Sequence, residues 1–299
     1  MIAANKPYHM MFFDQFLTVL FALVIALLIA MGSNDMRPDK TELAALADLL
    51  ANTWPDPSKP VALKPHQFPQ NRFEAYFVQD RMFDALNESL AGWKVGATSA
   101  QMRALDGHDD IIPGRIASST CYVGTHMTLP IARFPNARVE TEFAFRLTET
   151  PELRKTPWRA EDMAEIMTLH PAIEIIGNRY QVEGASKAQN SLLTIADNGG
   201  GMAFVFGDPV DDWQDLDFQH HNITLRVDDK AAAENFLGDM RCVPAQAAAD
   251  LVNHLASRNI SMQADDFLST GAATVPQPFV AGSTVHADFG TLGVIELTF

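Results

Sequence analysis

Two glutamates, Glu140 and Glu142, stand two positions apart in the run Arg138-Val-Glu-Thr-Glu-Phe-Ala-Phe-Arg-Leu147. The run alternates as a β-strand does, with Val139, Thr141, Phe143 and Phe145 on one face and the two glutamates on the other. Carboxylates about 7 Å apart along one strand face repel each other unless water, a proton or a cation offsets them. The pattern is that of a solvated sheet face, or of an oxygen-ligand platform for a hard divalent cation. A third acid, Glu174, follows in His170-Pro-Ala-Ile-Glu-Ile-Ile-Gly-Asn-Arg-Tyr180, flanked by apolar residues. It is either an exposed edge residue or a ligand that joins the pair. Three carboxylates with positions left open for water suit Mg²⁺ or Mn²⁺. Lys94, between Trp93 and Val95 in a glycine-bounded strand, is either a solvated edge charge or a group that binds a substrate carboxylate or relays a proton.

The elements that carry these residues change character along the chain. Leu43, Leu46, Ala47 and Leu50 follow helical spacing within 41–52, and Pro55 and Pro57 stop that helix. A second helix is expected over 73–90. From Gly92 onward, short apolar runs separated by Gly, Pro, Asn and Asp read as strands and turns. The expected strands are 93–96, 137–147, 172–176, 202–206, 223–227, 267–268, 284–289 and 293–299, with helices over 160–169 and 244–258. The fold class is therefore α+β. The expected organisation is an apolar N-terminal segment (1–35), a helical part (36–91) and a β-rich catalytic domain (92–299).

In this order, Gly92-Trp-Lys-Val-Gly-Ala-Thr-Ser99, Val139-Glu-Thr-Glu-Phe-Ala-Phe145, Pro171-Ala-Ile-Glu-Ile175, Ala196-Asp-Asn198 and Asp266-Phe-Leu-Ser-Thr-Gly-Ala272 resemble the 2-keto-4-pentenoate hydratase and 4-oxalocrotonate decarboxylase group of the fumarylacetoacetate hydrolase superfamily. The resemblance runs from about residue 40 to the C-terminus. It implies a β-rich roll of the fumarylacetoacetate hydrolase type with a helical N-terminal part. It implies that Glu140, Glu142 and Glu174 bind the metal and that Lys94 is the active-site lysine. Asp197, Asn198, Gly271 and Thr274 match segments that line the family's pocket. The implied reaction is hydration of a 2-hydroxy-2,4-dienoate to a 4-hydroxy-2-oxo acid, of the kind that serves aromatic breakdown. Decarboxylation or diketone cleavage on the same fold is the alternative, as is a non-catalytic oxo-acid binder. A homo-oligomer is expected from the same resemblance. Three departures fall where a pocket would be shaped: Asp109-Asp-Ile-Ile-Pro-Gly-Arg115 moves a proline, Ile176-Gly-Asn-Arg179 replaces a more usual sequence, and Asp197-Asn-Gly-Gly-Gly201 loses hydroxyls and gains flexibility.

The composition of the 299 residues is ordinary for a globular protein, at 47% hydrophobic and 20% charged. A net charge of −15 argues against general nucleic-acid binding and means that an anionic substrate needs a local cation. Cys121 and Cys242 have no ligand or disulfide spacing and read as buried free thiols. His220-His221 reads as a surface turn. The uncharged run Phe16–Met31 is shorter than the roughly 20 residues of a full membrane span. It is a single anchor, a signal segment cleaved near Ala30-Met31-Gly32, or the product of a start assigned upstream of Met36. A cytoplasmic catalytic domain is the expectation, membrane-anchored or exported if residues 1–35 are part of the protein.

Overall fold

The computed structural model describes residues 39–299. The apolar run 16–31 and the start at Met36 lie outside the described residues. Among those described, no helix is long and apolar enough to cross a membrane.

Helix α1 (Lys40–Thr53) begins at Asp39, whose carboxylate accepts from the Thr41 and Glu42 amides at 2.7 and 2.8 Å. After strand β1 (Val61–Ala62), α2 (Arg72–Leu86) begins at the Asn71 side chain and ends at Asn87, which adopts φ 51°. The chain continues through β2 (Leu90–Gly96), α3 (Ala100–Asp106), β3 (Ile112–Ala117), β4 (Cys121–Val123), β5 (His126–Thr128) and β6 (Arg138–Leu147). Next come α4 (Ala160–Ala164), β7 (Met167–Ile176), β8 (Tyr180–Gln181), α5 (Lys187–Ala196), β9 (Gly201–Phe206) and β10 (Thr224–Val227). Helix α6 (Pro244–Ser257) precedes β11 (Phe267–Ala272), β12 (Gln277–Pro278), β13 (Thr284–Asp288) and β14 (Val294–Thr298).

The large sheet runs β3-β2-β11-β6-β7-β9-β4, with β12 also paired to β6. It curls on itself, so that Ile116 from one edge packs with Phe204 and Phe206 from near the other, together with Ala144 and Ala172. A second sheet, β10-β13-β14-β5, covers the outside. There Val139, Phe143 and Phe145 of β6 share a core with Val285 and Ile295 of that sheet and with Leu251 and Leu255 of α6. Both faces of β6 are therefore buried. Each buried aromatic or branched side chain on the outer face contributes about 1.5–3 kcal/mol. That packing holds inward a face whose carboxylates cost several kcal/mol each to desolvate.

Helices α1 and α2 share a second core with Ile112, Ala117, Leu193 and Ile195. The buried Gln79 amide ties that core together, donating to the carbonyls of Pro113 (2.9 Å) and Ile195 (2.8 Å). The α+β class and the helical N-terminal part are as expected from sequence.

Several expected boundaries move. The helix expected over 160–169 stops at Ala164, because Met167, Leu169 and Pro171 belong to a ten-residue β7 that pairs along the whole of β6. Ile112–Arg115, within the segment whose proline is displaced, form the start of strand β3, which was not expected. Pro113 is tolerated there because β3 is the edge of the path. Helix α5 was not expected; the Ser186–Gln189 capping box at its start is the signal that would have found it.

Candidate active site

Strand register brings the three acids together. On adjacent β6 and β7, Glu140 and Glu174 are direct partners, and Glu142 lies two pairs further along, opposite Ala172. One oxygen from each of the three lies within 4.8 Å of the other two. Exposure is 7% for Glu140, 1% for Glu142 and 0% for Glu174, which rules out both the solvated face and the exposed edge.

Their surroundings differ. Glu142 is fixed: its Oε2 accepts from the Gly271 amide at 2.9 Å and from the Ser269 hydroxyl. Neither oxygen of Glu174 makes a hydrogen bond, and both are buried; Oε1 has only an ion-pair contact with Lys94. Burial, then the Glu142 charge, pushes the Glu140 carboxyl up to about 8. Burial likewise raises Glu174 well above the ordinary carboxylate range, against the pull of Lys94. The Lys94 ammonium is a single positive charge against three buried carboxylates, which leaves them short of a further cation or of protons. Three convergent oxygen donors of this kind fit a hard divalent ion.

Lys94, on β2, reaches across β11 to this trio. It is buried, and its Nζ lies 3.3 Å from Glu174 Oε1. The same ammonium donates to the Gly199 carbonyl at 3.1 Å. Burial works against its charge, but the three carboxylates outweigh that and hold its pKa above the ordinary value. The triple-glycine loop makes this contact. Gly199 and Gly200 adopt φ +68° and +75°, and a Cβ on Gly199 would stand 3.1 Å from the Lys94 side chain. Gly114 on β3 backs the same side chain; a Cβ there would meet the Asn198 carbonyl at 2.4 Å.

Two cavities flank the acids and share Lys94, Glu140 and Ile176. One, of about 210 Å³, also reaches Glu142 and is walled by Met102, Phe236 and Met240. Asp106, at the end of α3, also lines it and has no hydrogen-bond or ion-pair partner among the described residues. The other, of about 360 Å³, is lined by Asn136, Arg138, Asn178, Thr194 and the Gly199-Gly200 backbone.

The structure places the sequence-expected residues unevenly. Glu140, Glu142, Glu174 and Lys94 converge, and Gly271 lines the smaller cavity. The other three are not brought to either cavity. Asp197 is fully buried, receiving the Arg179 amide at 2.8 Å and its guanidinium at 3.2 Å. Burial raises its pKa against the Arg179 charge. Asn198 exchanges hydrogen bonds with the Arg115 backbone at 2.7 Å. Thr274 bonds Thr141 on the opposite side of β6 from the glutamates. These three hold the loop and strands around the site.

Sequence reasoning missed Asp106, Arg138 and Ser269. For Arg138 a signal existed, since the alternation that pairs Glu140 with Glu142 also places Arg138 on their face. Cys121 and Cys242 are free thiols, as expected; Cys242 is buried and burial pushes it up to about 11. His220 lies on the surface, paired with Asp217, whereas His221 is half-buried and bonds the Phe289 carbonyl at 2.8 Å.

No protein-family model matches the chain. The chain is 26% identical over 236 residues to a 2-oxo-hept-4-ene-1,7-dioate hydratase of Escherichia coli, covering 76% of this chain and 86% of that protein. It is 24% identical over 242 residues to a 4-oxalocrotonate decarboxylase of a Pseudomonas species, covering 78% and 88%. Among solved structures, it is similar to a 4-oxalocrotonate decarboxylase from Pseudomonas putida complexed with magnesium and adipate. The TM-score is 0.75 at 20% identity, covering 87% of this chain and 98% of that one. In sequence the chain is thus similar to 2-oxo acid hydratases and 4-oxalocrotonate decarboxylases, and in fold it is similar to a 4-oxalocrotonate decarboxylase.

Proposed function

We propose that the protein is a metal-dependent hydratase that converts a 2-hydroxy-2,4-dienoate into a 4-hydroxy-2-oxo acid. The observation that carries this reading is the buried trio of Glu140, Glu142 and Glu174, with the Glu174 oxygens making no hydrogen bond and Lys94 beside them at the floor of a cavity. The donor set suits Mg²⁺ or Mn²⁺. The magnesium in the similar Pseudomonas putida decarboxylase and the hydratases among the relatives support it.

Glu140, Glu142 and Glu174 would hold a divalent cation, which would supply Lewis-acid stabilisation to the charge that develops on a 2-oxo acid head group. The chain's own groups do the rest. Ser269 and the Gly271 amide pre-position Glu142, so it needs no reorganisation when the site fills. Lys94 donates one N–H to the Gly199 carbonyl and pairs with Glu174, which leaves donor capacity for the substrate. We assign that donor to guiding protonation at C5 as the 2-hydroxyl gives up its proton to solvent, a tautomerisation that yields the 2-oxo-3-enoate. Water oxygen then adds at C4, and one of its protons ends at C3. Asp106, unpartnered in the same cavity, is the group suited to take a proton from that water. Met102, Phe236 and Met240 keep other water from the walls.

Turnover of 2-hydroxypenta-2,4-dienoate with Mg²⁺ or Mn²⁺ tests the reading, followed by loss of the diene absorbance. The decarboxylase relatives motivate a second reading, because the same head-group chemistry serves loss of a vinylogous carboxylate. Release of carbon dioxide from an oxalocrotonate-type acid, without hydration, would establish that reading instead. Metal binding without turnover of either acid would leave an oxo-acid binder.

A further inference from the structure

We propose that the site selects acids with two carboxylates, and that Arg138 is the residue that binds the far one. This rests on the reading above, in which the 2-oxo acid head sits at Glu140, Glu142 and Glu174.

The argument is one of charge sorted between two cavities. A dianion approaching a chain of net charge −15 needs a free cation near the site. Lys94, paired with Glu174 and bonded to Gly199, serves the head-group end and leaves a far carboxylate without a cation. The smaller cavity offers a far carboxylate no other cation: beside the glutamates its lining is mostly apolar, with the Thr98 and Ser99 hydroxyls and the unpartnered Asp106. Anionic ends are repelled there. The larger cavity, on the other side of Lys94 and Glu140, is polar and carries Arg138. This guanidinium has no ion pair or hydrogen bond among the described residues and is exposed at the cavity's rim. Asn136 and Asn178 flank it with further amide donors.

The spacing also fits. Arg138 stands two residues before Glu140 on the same strand face, about 7 Å away along the strand. A chain of about six carbons covers that distance at roughly 1.2 Å per bond. Arginine presents a planar fork that matches a carboxylate bidentately, which lysine does not. A pentenoate-type acid has nothing to offer this group. An acid of six or seven carbons with carboxylates at both ends does.

The test is calorimetric binding of two six-carbon probes, 2-oxoadipate and 2-oxohexanoate, to the magnesium-loaded protein. The expected result is that 2-oxoadipate binds about tenfold tighter, the scale of one charge-assisted pair at a partly exposed site. Arg138→Ala and Arg138→Gln should abolish that preference, and Arg138→Lys should keep part of it. Because the side chain is exposed and unpaired, these variants should melt with the parent. Equal affinity for the two probes in the parent, or a preference that survives both Arg138→Ala and Arg138→Gln, overturns the proposal. Loss of binding of both probes to the same extent in the variants also overturns it, since that marks a general role. The hydratase reading fails separately, on absent turnover of either dienoic acid, while the ratio of probe affinities still reports on Arg138. Failure of both probes to bind the loaded parent would remove both proposals together.

Discussion

Glu140 and Glu174 are direct cross-strand partners on β6 and β7, and both are withdrawn from water. Like charges placed opposite each other destabilise a sheet, and desolvation adds to that cost. The pairing persists because both strands are locked by apolar packing on their other faces. Carboxylates so placed favour any cation that can join them.

Mg²⁺ or Mn²⁺ should raise the melting temperature. A ligand at 100 times its dissociation constant adds about 2.7 kcal/mol to stability. For a chain of this size that is several degrees by scanning calorimetry. Glu142→Gln should abolish the rise and the metal dependence of activity. An undiminished metal-induced shift in that variant would remove the three-glutamate site.

Lys94→Ala should lower kcat far more than it weakens metal binding. Its Nζ lies among the acids without serving as an oxygen ligand, and a general acid or carboxylate donor contributes about 10²–10⁴ in rate. Manganese affinity by titration and kcat by diene absorbance should therefore separate. Parental kcat would exclude Lys94 from the reaction.

Asp197→Asn should lose stability rather than substrate affinity. Arg179 and Asp197 form a fully buried pair, and the Arg179 guanidinium lies 3.9 Å from the Trp54 ring centroid. Removing one partner of such a pair costs about 3–5 kcal/mol. Urea unfolding should show that loss, while KM of the folded fraction stays near the parent's. A large KM change with parental stability would return Asp197 to the substrate.

His254 should make the protein acid-sensitive. Half-buried against the Tyr76 ring, with centroids 5.3 Å apart, it is held down to about 4 by burial and by Arg258 and Arg72, against the pull of Asp110. Its folded pKa lies below its unfolded value near 6.5. The unfolded state therefore binds the proton first. The stability contributed is complete above about pH 6.5 and is lost as pH falls through about 4. His254→Gln should flatten the fall in melting temperature between pH 6.5 and 4.5; an identical fall in both proteins would assign it to other groups.

Much of this was legible in the chain. Apolar spacing placed α1, α2 and α6, and alternation placed the core of β6, because those signals are local and each element's inward face is apolar. Where the pattern failed, a non-local partner had overridden it. Proline at 113 and 171 read as punctuation, yet both sit within strands, one at an edge and one within β7. Alternation alone left the acidic face of β6 between a wet surface and a ligand platform, because it reports polarity and not burial, and here the polar face turns into a curled sheet. Asp197 and Thr274 read as pocket residues by motif, but their partners Arg179 and Thr141 hold them in the frame of the site.

By itself the sequence determined which residue types could do chemistry, and in what order. It supplied three acids, a strand lysine and a run of motifs, since side-chain alternation and motif order are properties of the linear chain. Only the tertiary structure decided that these groups meet. Register between β6 and β7 set Glu140 against Glu174, the reach of Lys94 across β11 closed the cluster, and curling of the sheet removed the water that would have screened it. Those are facts of pairing between segments distant in sequence. The two cavities, with Asp106 in one and Arg138 in the other, come from the same pairing.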